Sequence, residues 1–142
     1  MVDWNSCLKK IEAKKVQPDL EMAESLIKTS QNKLISAGEL ELKKETIASK
    51  ISLLYDSVRE LLEAIAIKKG FKIYNHICYT AFLKEIIDNN DLADDFDELR
   101  RVRNDVNYYG KEIPLLDAKS VLADLGLLRK RIFELLKQSK IY

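Results

Sequence analysis

Polar chemistry in this chain is concentrated in one stretch, Leu99-Arg100-Arg101-Val102-Arg103-Asn104-Asp105-Val106-Asn107-Tyr108-Tyr109-Gly110. Set on a helix at roughly 100° per residue, Phe96, Leu99, Val102, Val106 and Tyr109 share one arc and are expected to face a core. Arg103 and Asn107 lie on the edge of that arc, with Arg100 just beyond and Asn104, Tyr108 and Arg101 further round. An arginine at the edge of an apolar stripe is placed for a partner subunit or a bound phosphate, whose oxygens its planar fork matches. A tyrosine can hydrogen-bond a phosphate or stack on a base. With a free pKa near ~10 it is a poor general base at neutral pH. Asn104 and Asn107 are weak helix formers, so local stability does not ask for them. The competing reading is a solvated face whose arginines complement the helix dipole.

Other chemistries find little support. The sequence has one histidine, His76, so it lacks the paired Glu-x-x-His elements of a ferritin-like di-metal site. No metal site and no cofactor are expected. His76 beside a helix start reads as a capping or surface residue. No Gly-rich loop cradles phosphate, and no Ser/His/Asp or Cys/His set can be argued. A formal net charge of +1 excludes a strongly basic, non-specific nucleic-acid binder but leaves room for a local basic patch. Cys7 and Cys78 form neither a disulfide framework nor a metal spacing, which fits a reducing, cytoplasmic setting. There is no secretory h-region and no run near the ~20 apolar residues of a membrane span.

The elements that must position the Arg103 stretch are helices. Residues 1–142 read as a single domain, long enough for a real core. Residues 1–18 form a lead-in, with Trp4, Leu8 and Ile11 on one helical face and Lys9, Lys10, Lys14 and Lys15 around it. It is either a short helix packing Trp4 on the rest or a basic arm touching phosphate. Pro18-Asp19 starts a first long helix, its stripe Leu20, Ala23, Ile27 and Leu34 ending near Gly38. A second runs from about Leu40 to Lys69, with Ile47, Ile51, Leu54, Val58, Leu61 and Ile65 stepping by four and three beside a second stripe, Tyr55, Leu62 and Ala66. Gly70 stops it, and Phe71 to Tyr74 connects to a third helix, His76 to about Asp88, behind Asn75 as cap. Asn89-Asn90-Asp91 turns into a fourth, from about Leu92 to Tyr109, acidic early and basic late as the dipole favours. Pro114 and Asp117 open the last, to about Lys137. No sustained period-two alternation signals a strand. The expected fold is all-α, an up-and-down antiparallel bundle of about five helices after the lead-in.

Arg103-Asn104 followed by the aromatic Tyr108, on the penultimate helix of such a bundle, resembles the HEPN domain (higher eukaryotes and prokaryotes nucleotide-binding). Trp4 in the lead-in, the Pro18-Asp19-Leu20 entry and the Ala23-Leu26 stripe resemble small prokaryotic HEPN proteins. Many members carry Arg, a polar residue, then His after four to six intervening residues in all. The resemblance implies a homodimer in which two such helices meet, and a metal-independent ribonuclease. Arg103 would hold the scissile phosphate with Asn104 beside it, and Arg100 and Asn107 would contribute to nucleotide or RNA binding. It also implies kinship to the toxin half of toxin–antitoxin pairs, whose partner is a small nucleotidyltransferase. Here Tyr108 stands where the pattern has histidine. The primary expectation is therefore a nucleotide- or RNA-binding module with catalysis weak or lost. The alternatives are an active ribonuclease using Arg103 with Tyr108 or His76, and a non-enzymatic adaptor or dimerisation module. On a straight helix positions 103 and 108 diverge by roughly 140°. A shared site would then need a frayed helix end near Gly110 or groups from two subunits.

Overall fold

The computed structural model describes residues 2–138. It is an all-α helical bundle carrying one two-stranded ribbon. In order the elements are α1 (Trp4–Lys9), β1 (Ala13–Lys15), α2 (Leu20–Glu39), α3 (Ile47–Lys69), β2 (Phe71–Ile73), α4 (Ile77–Ala81) continued by a π-helical segment Phe82–Ile86, α5 (Asn90–Tyr108) and α6 (Leu115–Gln138).

α3 is the central element, packed against α2, α5 and α6. Its four–three stripe Ile47, Ile51, Leu54, Val58, Leu61 and Ile65 is buried, as are Tyr55, Leu62 and Ala66 beside it. A helix apolar over so wide an arc must be covered on several sides. Local signals set most boundaries. Asp19 Oδ1 accepts from the Met22 N–H at 2.9 Å and opens α2. Asn89 Oδ1 accepts from the Leu92 N–H at 3.0 Å and opens α5. Gly70 ends α3 in the left-handed conformation (φ +87°), and a Cβ there would lie 3.0 Å from the Val16 carbonyl.

Four expectations are corrected. Gly38 does not end α2 by a left-handed turn; it lies within the helix. Leu40 turns extended, and residues 40–43 form a loop before a 3₁₀ turn at Lys44–Thr46. The Lys50 ammonium closes that corner, donating to the Ala37 and Leu40 carbonyls at 2.6 Å each, so the helix end needs no glycine. The lead-in is not one helix, since α1 ends at Lys9 and β1 follows. β1 pairs antiparallel with β2 in the register Ala13↔Ile73, Lys14↔Lys72, Lys15↔Phe71. Three-residue strands 58 positions apart carry no periodicity to read. Finally, Cys7 and Cys78 are not independent: a disulfide joins them and fastens α1 to α4. The inference of a reducing compartment drawn from unpaired cysteines falls with it. Trp4 packs as expected, its ring 5.3 Å from Phe71 and 5.7 Å from Phe82.

No helix among the described residues is long and apolar enough to cross a membrane.

Candidate functional site

The Arg103 stretch occupies the C-terminal half of α5, with Phe96, Leu99 and Val106 buried against the bundle. Tyr109 departs from the expected core arc. It follows the helix end and is 80% exposed.

Opposite α5 stands the turn that carries His76. Its shape is set by Glu12, just before β1: the Tyr74 and Asn75 N–H groups both donate to the Glu12 carbonyl, at 2.7 and 3.3 Å. Asn75 Nδ2 donates to the Glu12 carboxylate at 2.8 Å, while Asn75 Oδ1 accepts from the Ile77 N–H at 3.2 Å. α4 is tied to α5 by Thr80 Oγ1 donating to Asp97 Oδ1 at 3.1 Å. His76 is thereby brought to the arginines of α5. A surface depression of about 510 Å³ is lined by Ile11, Glu12, Tyr74, Asn75, His76, Arg100, Arg103, Asn104 and Tyr108.

Arg103 is the centre of this depression. Its guanidinium lies 5.0 Å from the centre of the Tyr55 ring on α3 and 5.4 Å from that of Tyr108. Nη1 donates to Tyr108 Oη at 3.2 Å and to Asn104 Oδ1 at 3.3 Å. The 140° divergence is bridged within one chain. Tyr108 is the last residue of α5, and side chains on a helix lean back toward its N-terminus, so two long groups five residues apart can meet. No frayed turn and no second subunit are needed for that contact. Charge compensation at Arg103 is thin. Asp56 Oδ1 lies 3.9 Å from Nη2, and the buried Nε has no hydrogen-bond partner.

The other expected residues divide. Arg100 lines the depression but is held by Asp97, with Nε and Nη2 donating to Oδ1 at 3.1 and 2.9 Å. Arg101 also pairs with Asp97, at 2.9 Å. Asn107 does not line the depression; its Oδ1 accepts from Ser52 Oγ at 2.8 Å.

His76 is half-buried, and its Nδ1 lies 3.2 Å from the Tyr55 hydroxyl. Burial, with Arg59, Arg103 and Arg100 acting in the same direction, lowers its pKa to about 4. The imidazole is therefore neutral at pH 7. Burial pushes the Tyr55 hydroxyl well above its ordinary range, against the pull of Arg103, Arg100 and Arg59, so it stays protonated. With Tyr55 donating, Nε2 carries the proton and can donate to a phosphate oxygen. With Nδ1 donating to Tyr55, Nε2 is a free acceptor able to take a proton. Arg59 is charged, because Tyr79 and Glu63 more than offset its burial.

The sequence places Tyr55 in the second apolar stripe of α3 and gives Asp56 and Arg59 no part in a site. One signal was available: Arg59 interrupts the apolar stripe Tyr55, Leu62, Ala66 of α3. A charge in a stripe that must be buried asks for a polar destination.

No cluster of three or more His, Cys, Asp or Glu side chains suited to a metal ion occurs among the described residues. Compared with family models and with curated proteins, the chain matches none of either.

Proposed function

We propose that the chain is a HEPN-type nucleotide- or RNA-binding module, with the Arg103 depression as its phosphate site. The observation that carries this reading is an under-compensated arginine facing open space beside a neutral imidazole. Arg103 donates to the neutral Asn104 and Tyr108, and the Asp56 carboxylate stands off at 3.9 Å from Nη2. An anion in the depression would be met chiefly by Arg103, since Arg100 is engaged by Asp97 and Glu12 lines the rim. The module acts as a homodimer in this reading, with the exposed Tyr108 end of α5 at the shared surface. A nucleotidyltransferase-type antitoxin is the proposed protein partner, and the cytoplasm, where RNA is met, the proposed compartment.

A second reading, metal-independent RNA cleavage, is favoured by the position of His76. The motif histidine is absent from α5, yet an imidazole reaches the same depression from the turn before α4. In the Nδ1–H tautomer, Nε2 would take the proton of a ribose 2′-hydroxyl as that oxygen attacks the adjacent phosphorus. The 5′-oxygen would leave with a proton from water, giving a 2′,3′-cyclic phosphate. Arg103 would stabilise the charge on the phosphoryl oxygens. A histidine of pKa about 4 is a weak base at pH 7. A bound phosphate would raise it by neutralising the arginines around it, so turnover would be slow and substrate-dependent.

The test is binding of uridine monophosphate and cleavage of labelled RNA in EDTA, wild type beside Arg103→Ala and His76→Gln. Saturable binding lost in Arg103→Ala supports the module. Cleavage lost in both variants adds the nuclease. No binding by the wild type refutes both readings.

A further inference from the structure

We propose that the β1–β2 ribbon is a second subsite for single-stranded RNA, with Tyr74 stacking on a base and Lys14 and Lys72 holding the backbone next to the phosphate at Arg103. This rests on the nucleic-acid reading of the Arg103 depression and deepens it.

The alternation of the ribbon puts Ala13 and Ile73 toward the core as a buried pair. Lys14 and Lys72 then face outward directly opposite each other. Like charges in that relation destabilise a strand pair, and neither ammonium has a carboxylate within ion-pair distance among the described residues. Two residues on from Lys72, on the same face, comes Tyr74, 49% exposed. Both ammonium nitrogens lie 5.9 Å from the centre of its ring. An exposed aromatic between two uncompensated cations suits a base with its flanking phosphates. It is continuous with the arginine site, because Tyr74 and His76 line the same depression.

Ile11 adds an independent mark at the same lip. The end of α1 is a Schellman turn, with the Ile11 N–H donating to the Leu8 carbonyl at 3.2 Å and the Glu12 N–H to the Cys7 carbonyl at 2.9 Å. Its left-handed position is ordinarily glycine. Here it holds a β-branched residue at φ +56°, 69% exposed. Such strain is kept where something else requires the side chain. An apolar lip beside Tyr74 would cover the edge of a stacked base. Single strands are favoured over duplex because stacking on Tyr74 needs an unpaired base.

The experiment measures affinity for fluorescein-labelled hexauridylate, for uridine monophosphate and for hexaglutamate. The chains are wild type, Tyr74→Ala, Tyr74→Phe, the double variant Lys14→Gln/Lys72→Gln, and Arg103→Ala. Tyr74→Ala should weaken hexauridylate about tenfold or more, by a larger factor than it weakens the mononucleotide, and Tyr74→Phe should restore it; the lysine variant, outside the depression, should leave the mononucleotide unchanged. The double lysine variant should flatten the salt dependence by about 1.4 in log–log slope without lowering Tm. Arg103→Ala should weaken both ligands. Full hexauridylate affinity in the ribbon variants, with loss only in Arg103→Ala, overturns the subsite and leaves the phosphate site standing. Absence of RNA and mononucleotide binding in the wild type overturns both. Lysine-dependent binding of hexaglutamate without hexauridylate also overturns the proposal and makes the ribbon a protein-docking face.

Discussion

Two arginines in this bundle sit against aromatic rings, and they are housed in opposite ways. Arg129 on α6 is buried between α2 and α3. Ser30 Oγ donates to the Ser57 carbonyl at 2.6 Å, and Ser57 Oγ donates to the Ser30 carbonyl at 2.7 Å. Both hydroxyl oxygens are then free to accept, and Arg129 supplies Nε to Ser57 at 2.7 Å and Nη2 to Ser30 at 3.1 Å. Burial lowers the pKa of Arg129. Its function is to lock three helices at one register. Arg103 is also largely buried, its side chain 13% exposed. It nevertheless faces a depression, leaves Nε unpartnered and rests on two aromatic rings. Arg129 is held in the interior by the hydroxyls of two other helices, whereas Arg103 stands at an opening with the neutral Asn104 and Tyr108 as acceptors and Asp56 farther off.

The contrast can be broken by substitution. Arg129→Ala opens a cavity and strips two buried hydroxyls of a donor. It should cost about 2–4 kcal/mol in chemical denaturation. Loss under ~1 kcal/mol would erase the distinction. Arg103→Ala removes an unsatisfied donor and should leave stability within about 1 kcal/mol of wild type. It should cut nucleotide affinity tenfold or more, read by isothermal titration.

The difference between the regions is also one of legibility. The arc of α5, the caps Asp19 and Asn89 and the stop at Gly70 are local signals, each decided within a turn or two of helix. So is the burial of the α3 stripe. The neighbourhood of Arg103 is not local. His76 reaches it through Glu12, which anchors the 74–76 turn from 62 or more residues away in sequence. Tyr55 reaches it from α3, its ring centre 5.0 Å from the Arg103 guanidinium. The Cys7–Cys78 bond and the ribbon are likewise long-range pairings that no helical period announces. A helical wheel sets Tyr108 apart from Arg103 because it ignores the length and lean of side chains, and it sets Tyr109 in the core only if continued past the end of the helix. The Arg129 network went unread for a related reason: Ser30, Ser57 and Arg129 each look unremarkable on a separate helix.

Acid should distinguish the regions more gently. The folded-state pKa of His76, about 4, lies below the ordinary 6.5. Between these values the unfolded chain binds more protons than the folded one. Stability should therefore be complete above pH 6.5, fall as pH drops from 6.5 toward 4, and lose no more to this residue below that. His76→Gln should flatten this part of the profile, measured by denaturation at successive pH values. A slope unchanged in His76→Gln would place the acid sensitivity elsewhere.

The smallest expected effect is at Ile11. Replacement by glycine relieves a left-handed β-branched residue and should stabilise the fold by roughly 0.5–1 kcal/mol. Destabilisation would show that the side chain serves packing rather than the lip of the site.

The most direct test of the central claim uses the single histidine of the chain as a reporter. The His76 imidazole resonances would be titrated by NMR without ligand and with saturating uridine monophosphate, in wild type and in Arg103→Ala. The expected result is a pKa of about 4 in the free wild type, a clear rise on binding as phosphate neutralises the arginines, and no such response in Arg103→Ala. A free pKa near the ordinary value, unmoved by nucleotide, would contradict it.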